Sequence, residues 1–385
     1  MTAGFRAVHH AGVCETGVHQ SGPDLADPER HGDQDAAPGL VDFAVNVRGT
    51  PPEFVLDAIR AGMADLARYP SAADEQCAVD AIAAAHSRRA DEVLLLSGAA
   101  DGFEMLPRLG VGSAALIQPS FTEPEIALRA AGVPITQTTL SAPWQLGAER
   151  EGDLDSLATV PEDADLVILG NPTNPTSVLH PREAIDALRR PGRIIVVDEA
   201  FADLTLDARG VIEPESLASV DWPDLLVIRS VTKTFGLAGL RAGYLLGPAD
   251  LLARLRAGRR PWALSTPALT ALTACVGEQG HRFCVEQARL VAAERAAMIE
   301  ELARIGLVPA TRPAAPFVLV EMPHATEVKR RLVDHGFAVR SCANFVGLGD
   351  THLRLAVRPI EQVRALTRAI EQVREEIGNA VGTHP

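Results

Sequence analysis

Aromatic side chains are scarce in this chain: they make up 4% of its 385 residues, with two tyrosines and three tryptophans. An interior for a protein of this size must therefore be built mainly from Ala, Val, Leu and Ile. Cysteine is sparse too. Cys14, Cys77, Cys275, Cys284 and Cys342 are scattered, without a CxxC pair or metal-ligand spacing, which argues for reduced thiols and against a zinc site or disulfide framework. Positive charge is in deficit. A formal net charge of −14 argues against any broad grip on nucleic acid, because that grip comes from cations neutralising phosphates. Small anions remain possible ligands, since they respond to a few local arginines. No apolar run is long enough to span a bilayer, and the first residues lack an apolar stretch after a basic start, so a cytoplasmic protein without a membrane partner is expected.

Hydrophobic residues at 47% and charged residues at 22% give the balance of a globular protein. The length exceeds what one compact core usually serves, so a large and a smaller domain are expected. Residues 1–38 are rich in His, Gly, Asp and Pro without an apolar period, and are read as a mostly flexible arm whose His9, His10, His19 and His31 are solvated rather than metal-bound. Order begins after Val41. The apolar runs Val93 to Leu96, Ala114 to Ile117, Leu166 to Leu169, Ile194 to Val197 and Leu225 to Ile228 alternate with helical segments such as Asp101 to Leu109 and Pro181 to Leu188. Strands apolar on both faces and separated by helices signal a mainly parallel sheet covered on both sides, an α/β domain over 39–275, with 39–50 open to joining the smaller one. Over 276–385 a long charged helix, Gln287 to Ile305, precedes strands around Phe317 to Glu321, ending near Arg340, and at His352 to Val357, then a last helix. That order suggests a smaller α+β domain.

Four segments sit where a strand ends or a turn begins, the usual place for ligand groups in open α/β sheets. Ser97-Gly98-Ala99-Ala100-Asp101 lets backbone N–H groups at a helix start face a phosphate, although a Gly there is also ordinary turn chemistry. Asn171-Pro-Thr-Asn-Pro-Thr176 enforces an extended path with amide side chains free for a ligand, or simply a rigid surface loop. In Asp198-Glu199-Ala200-Phe201 a carboxylate at the end of a buried strand requires a cation, either a protonated pyridine nitrogen or a structural salt-bridge partner. Ser230-Val-Thr-Lys233 places a lysine in a buried turn, where desolvation lowers its pKa and favours a nucleophilic role.

The ordered set NPTNPT, DEAF, SVTK and LAGLRAGY resembles the fold-type I pyridoxal-phosphate (PLP) enzymes, aminotransferase class I/II, over roughly residues 31–358. The resemblance implies a large domain with a mainly parallel, seven-stranded type of sheet between helices, plus a smaller α+β domain. Within the superfamily the chain looks similar to histidinol-phosphate aminotransferases and, more closely, to threonine-phosphate decarboxylases of cobalamin synthesis. That narrower likeness rests on Asp42-Phe-Ala-Val-Asn46, Arg68-Tyr-Pro70, Pro261-Trp262 and Val339-Arg-Ser-Cys-Ala-Asn-Phe345.

What the resemblance implies for single residues is specific. Lys233 joins the cofactor and moves the proton, and Asp198 pairs with the pyridine nitrogen. Asn174 bonds the ring oxygen and Phe121 stacks on the ring. The backbone at Ala99 and Ala100, the hydroxyls of Ser230 and Thr232, and Arg241 hold the cofactor phosphate, which Tyr69 reaches from the other subunit of a homodimer. Arg354 receives a substrate carboxylate and Arg340 a substrate phosphate, unless either is an ordinary surface ion pair; His31 and Asn46 approach the substrate. Three positions depart from the pattern: Phe201 where most aminotransferases have Tyr, Ser177 for a common Gly, and Asp33 for the second Gly of an HGG-like start.

Substrate orientation selects the reaction, because the Cα bond perpendicular to the ring is the one that breaks. The segment RSCANF and Phe201 favour decarboxylation of L-threonine O-3-phosphate to aminopropanol phosphate; transamination of histidinol phosphate or another amino compound is the alternative. A PLP-dependent transcription regulator is disfavoured, because the N-terminal arm is too short and acidic for a winged helix.

Overall fold

The computed structural model describes Asp27, Glu29, residues 32–147 and residues 160–382. His31, expected near the substrate, lies outside the described residues, as do His9, His10, His19 and most of the N-terminal arm. The chain opens with β1 (Val41–Phe43), α1 (Glu53–Gly62) and α2 (Ala72–Ala85). It continues through β2 (Val93–Leu96), α3 (Ala99–Met105), β3 (Ala114–Gln118), α4 (Glu123–Ala130), β4 (Ile135–Thr139), β5 (Leu166–Gly170), α5 (Arg182–Asp186) and β6 (Ile194–Asp198). Next come β7 (Leu225–Ser230), β8 (Gly243–Leu246), α6 (Ala249–Arg256), α7 (Thr266–Val276) and α8 (Glu278–Arg304). The last elements are β9 (Phe317–Glu321), α9 (Ala325–Asp334), β10 (Phe337–Ser341), β11 (His352–Ala356) and α10 (Ile360–Gly382).

Seven strands form the large sheet in the order β2-β8-β7-β6-β5-β3-β4. Neighbours from β7 through β4 pair in parallel, and β8 runs antiparallel to both β2 and β7. The inner strands are buried along their whole length because helices cover both faces. One core, with Val167, Val197, Val227 and Leu269, fills one side of the sheet; another, with Leu116, Ile168, Val196 and Phe103, fills the other. A second sheet, β1-β10-β11-β9, packs with α8, α9 and α10 around Phe43, Val318, Leu355 and Val363. Strand β1 joins this small sheet in parallel with β10, so residues near the start of the described chain complete a layer built mostly from its end. Local signals place the helix starts. Ser71 caps α2 by accepting from the Asp74 backbone at 3.1 Å, while the Asp74 carboxylate accepts from the Ser71 backbone at 3.0 Å.

One ionic cluster lies inside the large sheet's own core. On β7, Arg229 points away from the face used by Ser230 and donates to Glu199 and Glu213, each at 2.9 Å, and to Asp203. Glu199 is tied further to Ser216 Oγ and the Leu217 backbone, and Asp203 accepts from Thr234. Burial works against the Arg229 charge, but Glu213, Asp203 and Glu199 outweigh it and hold the guanidinium well above its ordinary pKa. Burial pushes Asp203 up to about 6 in spite of Arg229. Removing one partner from such a set leaves uncompensated buried charge, which costs about 3–5 kcal/mol. Arg229→Met should therefore lower stability in urea unfolding by about that amount near neutral pH. The loss should shrink as pH falls through the raised Asp203 value, because protonation removes the charge left unpaired; a pH-independent loss would contradict this account.

Candidate active site

A cavity of about 490 Å³ opens at the carboxyl ends of β6 and β7, between the large and small sheets. Lys233, Asp198, Asn174, Phe121, Ala99, Ala100, Ser230, Thr232, Arg241, Arg340, Arg354 and Asn46 all line it. Thirteen of the fourteen expected site residues lie in the described part, and Tyr69 is the one among them that is not at this cavity. Tyr69 is 72% exposed and stacks on Trp262 with ring centroids 4.3 Å apart, on the outer surface.

The strand period explains how one pair of acidic neighbours divides its tasks. At the end of β6, Asp198 faces the cavity while Glu199 faces the Arg229 cluster, since successive side chains leave a strand on opposite sides. The structural ion pair considered for Asp198 thus belongs to Glu199. Asp198 Oδ1 accepts from the Ala200 backbone at 3.0 Å. Burial pushes its pKa up to about 6, against the opposing pull of that N–H group and of Lys233. Lys233 lies one turn past β7. Burial first, then Arg354 and Arg241, lower it to about 8, with Asp198 and Asp33 opposing. Its ammonium is 6.0 Å from the centroid of Phe201, whose ring packs edge-on against Phe317.

The loop after β5 is held from within and from the small-sheet side. Asn171 Oδ1 accepts from the His180 backbone at 2.8 Å, and the buried His180 ring accepts from Leu146 and meets Thr173 Oγ1 at 3.0 Å. Burial lowers His180 to about 4, so it stays neutral and can make both contacts. Ser177 adopts a left-handed φ of 63°, so the turn keeps the conformation glycine favours. Its hydroxyl then accepts from the Ala315 backbone at 2.8 Å, a bond glycine could not make. This anchoring presents Asn174, whose Oδ1 accepts from Arg354 at 2.6 Å and whose NH₂ remains available to an acceptor.

Arg340 and Arg354 are register partners on β10 and β11, and both are buried, so neither is a surface ion pair. Arg340 donates to Asn344 at 2.9 Å and stands 3.6 Å from Asp35. Burial, then the neighbouring Arg340, pulls Arg354 down to about 9. Two guanidinium groups side by side in a closed space favour an anion between them. Sequence reasoning missed Phe103 and Phe345 in the cavity wall and the whole Arg229 cluster beneath it. The signal available for the cluster was a lone arginine closing the apolar run of β7, which burial makes costly without partners.

These residues fit pyridoxal phosphate. Asp198 is a deep carboxylate that has one hydrogen bond and no cation in contact among the described residues, which suits a protonated ring nitrogen. Gly98 has φ 85°, and a Cβ there would lie 2.6 Å from the Arg241 guanidinium; only glycine lets Arg241 close on the turn that starts α3. Beside it stand the buried hydroxyls of Ser230 and Thr232, a donor set suited to a phosphate. When bound, the group supplies an electron sink for charge left on the substrate Cα.

Borohydride reduction of the loaded protein should fix the cofactor on the peptide containing Lys233, and Lys233→Ala should abolish the label; a retained adduct would refute the assignment. For Asp198, the folded pKa lies above its ordinary value, so the ionised form weakens the fold at pH above about 6 and the penalty fades on acidification. In cofactor-free protein, Asp198→Asn should therefore raise stability at pH 8 by on the order of 2 kcal/mol, with the gain vanishing near pH 4. In loaded protein the same change should reduce activity about a hundredfold, the size of one lost charge-assisted contact. Thermal melts across pH, with and without cofactor, test the first part.

The family model described as "Aminotransferase class I and II" matches residues 39–370. A histidinol-phosphate aminotransferase of Mycobacterium tuberculosis is 49% identical over 87% of this chain and 88% of its own length. A threonine-phosphate decarboxylase of Salmonella typhimurium is 29% identical over 87% of this chain and 91% of its own. Among solved structures, the histidinol-phosphate aminotransferase from Clostridium acetobutylicum matches with TM-score 0.76 and 25% identity, covering 88% of this chain and all of that one. With the fold, the cavity and these likenesses in agreement, the chain belongs to the class I and II aminotransferase family of pyridoxal-phosphate enzymes.

Proposed function

We propose that the protein is an aminotransferase that moves an amino group between a phosphorylated amino compound of the histidinol-phosphate type and a dicarboxylic 2-oxo acid. The observation that carries this reading is the 49% identity, over 87% of this chain, to a histidinol-phosphate aminotransferase. Arg354, fixed by its 2.6 Å hydrogen bond to Asn174, would hold an anion on that side of the cavity, and transamination requires the substrate's Cα–H bond to face Lys233. Lys233, neutral in part near pH 8, takes that proton and returns it. Asp198 keeps the ring nitrogen charged, Phe121 supports the ring face, and Asn174 donates to the ring oxygen. Ala99 and Ala100 amides, Ser230, Thr232 and Arg241 hold the cofactor phosphate. Arg340 receives the phosphate of the amino compound or the second carboxylate of the dicarboxylic partner, and Asn46 lines the same cavity. The protein works as a homodimer, in which Tyr69 reaches the cofactor phosphate of the other subunit; its exposed ring supports that placement.

The relative at 49% identity weighs toward transamination, against the order suggested by RSCANF and Phe201 alone. A specific observation keeps decarboxylation of L-threonine O-3-phosphate as the second reading: adjacent Arg340 and Arg354 could hold the phosphate and the carboxylate of one small substrate, with Phe201 in place of the usual tyrosine. Histidinol phosphate with 2-oxoglutarate, and threonine phosphate alone, should be supplied to separate samples. Glutamate should form in the first and no carbon dioxide in the second. Gas from threonine phosphate without glutamate from the other pair would overturn the proposal.

A further inference from the structure

The cavity has a strongly basic floor, yet an acidic side chain stands at its rim on the Arg354 side. Asp33 lies on the 3₁₀ turn Gly32–Gln34 and lines the cavity. The residue before it is held close to the wall: a Cβ on Gly32 would sit 2.7 Å from the Ala44 carbonyl oxygen and 3.4 Å from the Arg354 guanidinium, while the Asp33 side chain is exposed. The turn is thus pressed against the strand-to-loop exit of β1, and its negative charge is felt by Lys233. Asp35, two residues on, is committed to Lys329 at 2.8 Å and faces Arg340. Asp33 remains at the rim without a salt bridge to any described residue.

A second observation at the same end also asks for a donor. Asn46 is 5% exposed and lines the cavity, and its Oδ1 is buried without a hydrogen-bond partner among the described residues. A buried acceptor left unmade costs about 1–3 kcal/mol, so a ligand N–H that reaches it is favoured over one that brings another acceptor.

We propose that Asp33, with Asn46, is a specificity-determining pair that receives a cationic or N–H-donating group of the substrate, such as an imidazole ring, at the cavity rim. This rests on the aminotransferase reading above and deepens it. A carboxylate at that rim attracts a cation and repels a second carboxylate, so the same residue favours an imidazole-bearing amino compound and works against a dicarboxylic one. Replacing its charge should move the two substrates in opposite directions, a pattern that general damage to the site does not produce.

The test uses cofactor-loaded enzyme and follows the half-reactions with histidinol phosphate and with L-glutamate separately, by the cofactor's absorbance. Asp33→Asn should raise the half-saturating concentration of histidinol phosphate about tenfold, the factor that 1.4 kcal/mol gives, and lower that of glutamate. Asp33→Glu, which keeps the charge, should retain the original preference. Asp33→Ser carries the same expectation as asparagine and covers a turn disturbed by the larger amide. Parallel shifts for both substrates, or no shift in either, would overturn the pair's role while leaving the aminotransferase reading intact. Should neither compound react with the unaltered enzyme, it is that reading that fails.

Discussion

The guanidinium of Arg229 holds together the ends of two strands and the loops that follow them. Glu199 ends β6, Asp203 and Glu213 lie in the segment between β6 and β7, and Arg229 itself precedes the turn bearing Lys233. Because strand side chains alternate, two residues tied down in this cluster fix neighbours that face the cavity: Glu199 fixes Asp198, and Arg229 fixes Ser230. Thr234, bonded to Asp203 at 3.1 Å, secures the far side of Lys233. Buried ion sets of this kind are seldom the most stable filling for a core, and hydrophobic replacements often match them. What they provide here is a directional framework under a site whose groups must not drift.

Above that framework the cavity is electrostatically uncomfortable. Lys233 and Arg354 are pulled down and Asp198 is pushed up, in each case first by burial. Each group is displaced toward its neutral form, and each displacement is one that an oppositely charged ligand reverses. The cavity is therefore organised for charge before any ligand arrives, so little rearrangement is needed when it does. Stability is surrendered locally for this, a pattern common to binding sites.

Much of this was legible in the chain. Strands β2, β3, β5, β6 and β7 are apolar on both faces and stood out as short unbroken runs, and the residues closing them led to Asp198 and Lys233. Strand β4 did not stand out, because as an edge strand it reads Ile-Thr-Gln-Thr-Thr, with only Thr138 buried. Strand β8 was hidden because it returns antiparallel from the lysine turn within a glycine-rich stretch. Helix α8 begins at Glu278, well before the expected Gln287. Gly280 obscured that start: it reads as a breaker, yet a Cβ there would fall 1.7 Å from the Cys275 carbonyl oxygen, so it marks a close meeting of α7 and α8. Arg340 and Arg354 were identifiable as candidates, but their burial side by side depends on a register between strands that only the folded chain reveals.

The membership of β1 in the small sheet carries a consequence for how the molecule is made. Val41 pairs with Phe337 and Phe43 with Val339, so this strand's hydrogen-bonding partner is synthesised long after it. The large sheet, whose parallel strands lie between those two points, can assemble while β1 is still waiting. Through that interval an extended apolar segment next to the future cavity has no ladder to join, which makes it a point of exposure to unwanted association during synthesis. Closure of the active site is then coupled to the synthesis of β10, since Asn46 and the turn bearing Asp33 flank the strand that must dock.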